Sequence, residues 1–418
     1  MIELIRFEWE KIFKRKSTLI SLAIISLFTI WLFILPAFQV QTTDLQGKTY
    51  KGLSAVNIQK ELIRQQPNVL TEEVLGAVVE EYQQIAANPA SYIENEEGEK
   101  EFTSEIIHSF YNQNYALLSL VASTFYDPQY YTTPDYALKI PVEEDGTLGF
   151  YQQYQQNQAA MLARDIPENG GALTESAKSY WQKKTAAVSA PYRYGYYAGW
   201  NNIGDRIGFI PLLILMICLS LAPIFAGEYQ NGTAVLILSS KFGKSKVLAA
   251  KVAAAYLFGL FVYGITMLLA FGGTFALFGS EGGELPIQLR VPNSPFPWTF
   301  SEMVWIHFGL GLLVLFGMIG VTLLLSSRLS TPVPVLVTNV LLLMMPFIMP
   351  KSTASVLYNW IVNLLPGVQL NMKFVSNITY NIAGWTTNLF TINVLVYLLI
   401  ILVTVPLAIR SFREHQTA

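Results

Sequence analysis

The sequence predicts an all-α polytopic membrane protein: six transmembrane helices, with a large, mainly helical extracellular domain between the first and the second. Three observations carry this expectation. Hydrophobic residues make up 52% of the 418-residue chain and charged residues only 13%, a balance that argues against an ordinary soluble protein. Six apolar runs meet the roughly 20 residues that a helix needs to cross a hydrocarbon core about 30 Å thick. Between the first two runs lies a polar stretch, residues 39–206, of the size of a folded domain.

Residues 1–16, MIELIRFEWEKIFKRK, form an amphipathic pattern. Leu4, Ile5, Trp9, Ile12 and Phe13 share an apolar flank, with Glu8, Lys11, Lys14 and Arg15 elsewhere, as in a helix that lies on a membrane surface. The run 17–38 follows. It is longer than the hydrophobic region of a signal peptide and lacks a small-residue cleavage site, so it reads as a retained anchor.

The insert 39–206 carries 21 Asp and Glu against 12 Lys and Arg. Stretches such as SAVNIQKELIRQQ, TEEVLGAVVEEYQQIAA, TSEIIHSFYNQNYALLSLVAS and LTESAKSYWQKKTAAV space apolar residues by three or four. Asn88-Pro89, Asp127-Pro128 and Asn169-Gly170-Gly171 punctuate them. Four or five helices are expected. YRYGYYAGW, ending at Trp200, gathers aromatic rings as at a headgroup boundary.

The remaining runs are 207–226, 248–278, 303–325, 332–349 and 389–409. Lys251 sits near the start of the third run, where it can snorkel to the interface. The fifth holds Pro332, Pro334 and Pro346, which predicts an unwound start or a split into two helices. An even number of crossings puts both termini on one side. About twelve Lys and Arg cluster at the termini and beside 228–251, against Arg290, Lys351 and Lys373 in the short loops opposite. By the positive-inside rule the termini are cytoplasmic, in a cell (plasma) membrane, and the insert is extracellular.

The loop after the second run, FAGEYQNGTAVLILSSKFGKSK, is longer than a turn needs. Asn231-Gly232 favours a turn, and 228–243 is expected to be an amphipathic helix at the membrane surface. Thr233 would cap it, with Glu228 and the lysines facing water or another protein. Composition leaves an orienting interfacial helix and a docking element equally open. Gly243-Lys244-Ser245 resembles the end of a phosphate-binding loop, but Leu238 stands where its first glycine belongs, so no nucleotide site is expected.

Other chemistry is sparse. His108, His307 and His415 are too scattered for a metal or catalytic cluster. The acidic run ENEEGEKE lacks calcium-loop spacing, and Cys218 reads as a buried inert thiol. No basic tail suggests nucleic acid. His307, the one titratable group within an apolar span, reads as a cavity-lining residue or as a hydrogen-bonded neighbour of another helix. Residues 350–388 are apolar but hold Asn359, Asn363, Pro366-Gly367 and Lys373, a composition expected of a re-entrant segment against protein or a water-filled vestibule. His307, Asn363, Pro366, Gly367 and Lys373 are therefore candidates for a translocation path or lid. No buried ion pair or carboxylate chain is expected in the crossings, which favours an amphipathic or hydrophobic cargo over sodium.

Glu228, Gly232, Thr233, the VLILSS run and Lys251 resemble the E-x-x-x-G-T…L…S…K pattern of ABC-2 type permeases, the membrane subunits of ATP-binding cassette transporters. The layout of elbow helix, crossing, insert and five further crossings is similar too. Tyr229 and Lys241 stand where the family often has Arg and Pro. The resemblance implies that 228–243 is a coupling helix, with Glu228, Tyr229, Gly232, Thr233, Leu236 and Lys241 meeting an ATPase subunit. It implies an elbow helix whose Phe7, Trp9 and Lys11 brace the first crossing and touch that ATPase. It also implies a second permease copy, identical or related, surrounding lipid, and no cofactor in this chain, with ATP and Mg held by the partner. The predicted function is ATP-driven export of a peptide, antibiotic or lipid-like molecule. Alternatives are a sensor or immunity protein whose extracellular domain binds a ligand, and a sodium exporter.

Overall fold

The computed structural model describes residues 1–94, 99–126, 133–164, 172–352, 355–367, 377–382 and 384–414. Asp127-Pro128, Asn169-Gly170-Gly171, the middle of the acidic run and Lys373 lie outside them.

The chain begins with α1 (Ile2–Phe13) and a first apolar helix, α2 (Lys16–Gln39). The insert follows with α3 (Leu53–Arg64), α4 (Glu72–Ala87), α5 (Asn112–Phe125), α6 (Phe150–Ala163) and α7 (Glu175–Ala186). Thr71 and Thr174 accept the N3 backbone N–H of α4 and α7, so two of these starts are set by a side-chain cap. The second half holds α8 (Ala198–Gln230), α9 (Thr233–Ser239), α10 (Gly243–Phe278), α11 (Phe300–Arg328), α12 (Pro332–Ile348), α13 (Val356–Asn363) and α14 (Leu389–Arg413).

The all-α expectation needs amendment, because the described residues, though mostly helical, also form four short antiparallel strand pairs. β1 (Gln41–Thr43) pairs with β2 (Thr49–Lys51), β3 (Val69–Leu70) with β6 (Tyr192–Arg193), β4 (Tyr92–Glu94) with β5 (Lys100–Phe102), and β7 (Thr379–Ile382) with β8 (Trp385–Asn388). The β3–β6 pair ties the start of the insert to its end. β7 and β8 close the segment 350–388 that was expected to be re-entrant, after the short helix α13 within it.

Among the described residues, five helices are long and apolar enough to cross a membrane: α2, α8, α10, α11 and α14. At about 1.5 Å per residue, the 17 residues of α12 reach about 26 Å, short of a hydrocarbon core. Nor is α12 unwound or split. Pro332 and Pro334 fall in its first turn, where a missing N–H breaks no helical bond, and Pro346 falls in its last. α12 is held to α11 by Thr322, whose hydroxyl donates to Asn339 Oδ1 at 3.1 Å. α11 and α14 approach closely along small residues, since a Cβ at Gly317 or Gly320 would come within 2.6 Å of Tyr397 or 2.2 Å of Thr404, a mode of packing suited to lipid-embedded helices.

The aromatic stretch before α8 departs from the expected headgroup belt. Tyr192, Tyr194, Tyr196 and Trp200 are buried. Tyr192 accepts Tyr151 and Tyr154 edge-on within the insert, and Trp200 donates to Ser280 O at 2.9 Å. α8 itself starts before the apolar run, so the insert passes into the bundle through continuous helix. The insert rests on two loops. Tyr154 and Gln158 of α6 donate to the carbonyls of Ser294 and Asn293 at 2.8 and 3.0 Å. Trp181 of α7 donates to Thr379 Oγ1 at 2.8 Å and meets Phe296 edge-on.

Within the insert, Gly76 on α4 lies against the turn at Gly146, where an added Cβ would sit 1.8 Å from the Gly146 carbonyl oxygen. Gly76→Ala is therefore expected to destabilise the chain by about 1–3 kcal/mol. Gly264→Ala on α10, where nothing lies within 4 Å, is expected to be neutral or slightly stabilising. Thermal unfolding of the two variants in detergent checks the contrast.

Candidate functional site

Both chain ends meet the α8–α9–α10 connection. α1 packs on α10 through Trp9 and Phe13, whose rings lie 5.2 to 6.3 Å from Phe258 and Phe261. Near the other terminus, Phe412 stacks on Tyr229 at 5.3 Å and lies tilted against Phe225 at 4.6 Å. The termini thus lie at one end of the bundle, and the insert lies at the other.

At the terminal end a buried cluster of charge joins three helices. The Lys251 side chain is fully buried, and its Nζ lies 2.9 Å from Glu8 Oε2 on α1 and 2.7 Å from Glu228 Oε1 on α8. Lys11 pairs with the same Glu228 oxygen, and Thr233 donates its hydroxyl to the other. The half-buried Arg15 guanidinium adds a further positive charge. Burial lowers its pKa, and the charges of Glu228 and Glu8 oppose that effect. Each carboxylate thus faces a cation in a setting where an unpaired charge would be costly.

This cluster corrects four expectations. Glu228 does not face water; it is 4% exposed. Lys251 does not snorkel, since it is shut between two carboxylates. Glu8 belongs to the packed face of α1, beside Ile12. A buried ion pair does exist in the apolar part of the chain, at the end of α10. A lone lysine in a long apolar run is itself a signal that a partner must be found, and Glu8, spaced three from Lys11, was the missing candidate.

The polypeptide path explains why α9 can stand clear of this cluster. α8 ends at Gln230, and Gly232 takes φ +69°, donating its N–H to Tyr229 O at 3.0 Å. This left-handed closure is a glycine conformation. An added Cβ there would meet nothing within 4 Å, so the requirement for glycine is conformational. Gly232, not Thr233, occupies the N-cap of α9, and Thr233 is engaged with Glu228. α9 covers seven residues, shorter than the expected 228–243. Gly243 closes its far side: an added Cβ would lie 1.6 Å from the Ile237 carbonyl oxygen, which accounts for the glycine of the Gly-Lys-Ser run by packing alone.

α9 buries Ala234 and leaves Leu236 71% and Val235 47% exposed. Exposed Phe242 continues this apolar surface, with the Lys246 and Lys241 ammonium groups 4.5 and 5.5 Å from its ring. Tyr229 faces inward instead, donating to Ser327 O at 2.8 Å. Of the elbow residues, Trp9 and Lys11 join the packing while Phe7 is exposed.

The base of α8 is interrupted at Ala222, just before Pro223, which lacks an N–H. Ser326 of α11 covers the break. Its hydroxyl accepts the N–H groups of Phe225 and Ala226 at 3.0 and 2.9 Å and donates to Ala222 O at 2.7 Å.

The proposed path or lid residues lie apart from this cluster. His307 on α11 is buried, donates from Nδ1 to Met303 O at 2.8 Å, and meets Phe390 edge-on. Asn363, at the end of α13, accepts from Lys351. Pro366 and Gly367 are buried, and a Cβ on Gly367 would lie 2.3 Å from Leu343 O, so this turn packs directly on α12.

Lys251→Met would leave two buried carboxylates facing one another with too few cations. It is expected to cost about 3–5 kcal/mol. Lys11→Met, at a side chain 36% exposed, should cost far less, and adding Glu8→Gln and Glu228→Gln to Lys251→Met should recover most of the loss. Thermal unfolding of the purified chain checks the order.

A family model described as an ABC-2 family transporter protein matches residues 2–415. No curated protein matches the chain, and no solved structure does.

Proposed function

Because the chain belongs to the ABC-2 transporter family, a family of membrane transport components, we propose that it is the permease subunit of an ATP-driven exporter, working with a separate ATPase that holds ATP and Mg. In this reading α2, α8, α10, α11 and α14 cross the plasma membrane, and the shorter α12 makes a sixth crossing with help from its flanking turns. The basic, terminal end is cytoplasmic and the insert is extracellular. Two copies, identical or related, pair with two ATPases and are embedded in lipid.

One observation carries this proposal: α9 exposes Leu236 and Val235 while its base is fixed by the buried charges of Glu8, Glu228 and Lys251. An apolar face on a short helix fits a groove in a partner. The ion pairs would carry a push on α9 into α1, α8 and α10 together, so that ATP-driven closure repacks the spans from inward-facing to outward-facing. Phe7, exposed on α1, and Lys241 would flank the same contact. The cargo is amphipathic or hydrophobic, a peptide, antibiotic or lipid-like molecule, because the spans are lined by apolar and aromatic side chains. His307, Asn363, Pro366 and Gly367 would form part of its path or its lid at the opposite end.

Leu236→Arg and Val235→Arg, made together on exposed positions, are expected to leave membrane insertion and thermal stability unchanged. Co-purification of the ATPase and substrate-stimulated hydrolysis should fall at least about tenfold. Normal ATPase recovery with these variants would overturn the assignment of α9 as the docking helix.

A further inference from the structure

Asn393 stands on α14 one turn before Tyr397, and it is fully buried. Its carboxamide nitrogen and oxygen both lack a hydrogen-bond partner among the described residues. Neighbouring helices treat their asparagines differently. Asn339 on α12 and Asn363 on α13 are equally buried, yet Oδ1 of the first accepts from Thr322 at 3.1 Å and Oδ1 of the second accepts from Lys351. Asn388 caps α14, accepting the Thr391 N–H at 3.0 Å. A packed apolar interior supplies nothing to a carboxamide, and leaving its donors and acceptor unpaired costs free energy that an apolar residue of the same size would not. The packing of α14 seen here is therefore destabilised at one residue.

The contacts on either side of Asn393 differ in kind. Toward the terminal end, Tyr397 and Thr404 press on Gly317 and Gly320 of α11, leaving no room for a Cβ. Toward the insert end the fasteners are neutral hydrogen bonds. Asn388 donates to the Tyr180 hydroxyl at 3.0 Å, and Asn381 and Thr386 of the β7–β8 pair each donate to the Ser176 hydroxyl at 3.2 Å. Water replaces such bonds at a small net cost, but it does not replace close packing. Pro406, inside α14, removes a helical hydrogen bond next to Thr404 and gives the helix a point at which to bend. Asn393 lies about 20 Å along the axis from that point, at 1.5 Å per residue. A small bend at Pro406 thus moves Asn393 far and Thr404 little.

We propose that Asn393 is a gate residue of the transport step. Its carboxamide is stranded while α14 packs on α11, and it gains hydrogen bonds when the insert end of α14 swings out about Pro406 and admits water to the seam. The asparagine thereby keeps the closed and open arrangements near in energy, where leucine would hold the seam shut. The purpose of this motion rests on the permease reading above; the motion itself does not.

The test uses the full chain in phosphatidylglycerol nanodiscs, with Ile392→Cys as a reporter. Ile392 is buried next to Asn393, and the native Cys218 is itself buried, so a membrane-impermeant maleimide reads displacement of α14. Adding Asn393→Leu is expected to slow labelling of the reporter about tenfold and to raise the melting temperature by about 2 °C. Asn393→Asp, whose carboxylate needs water more, should speed labelling. A Thr404→Cys reporter, beside the bend, should react at one slow rate with Asn393, Leu or Asp in place. Labelling that Asn393→Leu leaves unchanged or speeds, or a lower melting temperature for that variant, would overturn the proposal. Both readouts are taken without ATPase or cargo, whereas the Leu236 and Val235 variants test the permease reading, so either idea can fail while the other stands.

Discussion

Lys251 is the point on which the terminal end of this molecule depends. Its ammonium is fully buried, yet it lies within 3 Å of carboxylates on two other helices. A charge so placed must be matched in position as well as in sign. The register of α1 against α10 is therefore set by Glu8, and the end of α8 is set by Glu228. Lys11 and Thr233 then complete the coordination of Glu228. Three helices that would otherwise slide over one another through apolar contact have one allowed arrangement.

Much of this was legible in the sequence, and the reasons for the gaps are physical. Hydrophobic length located α2, α10, α11 and α14, because a membrane span announces itself by composition alone. It missed the first turns of α8, where Asn201, Asn202 and Asp205 interrupt the apolar run although the helix is continuous. The turn at Gly232 was readable from its dipeptide, but the orientation of Glu228 was not. Periodicity assigns a residue to a face, and which face is inside depends on what packs there. The partner of Glu228 is Lys251, and the partner of Lys251 is 243 residues away at Glu8. Tyr192 to Trp200 misled for the same reason, since rings that suit an interface suit a protein interior equally well.

The two ends of the bundle are fastened by different chemistry. At the terminal end the contacts are ionic and desolvated. At the insert end neutral hydrogen bonds run from Tyr154, Gln158 and Trp181 to two loops, reinforced by the rings of Phe296, Trp298 and Phe390. The ion pairs there, Lys60 with Glu281 and Arg290 with Asp205, are partly exposed, so salt screens them more than the buried charges at the terminal end.

The helix interruption at Pro223 ties two distant positions to one another. Proline frees backbone groups that a bilayer cannot solvate, and the Ser326 hydroxyl, on a different helix, meets three of them. Neither residue has a reason to be where it is without the other. Related chains that lack the proline are thus expected to lose the hydroxyl as well, and those that keep it to keep a small hydroxyl-bearing residue opposite it. Inheritance at these two sites should run in step across a gap of about a hundred residues.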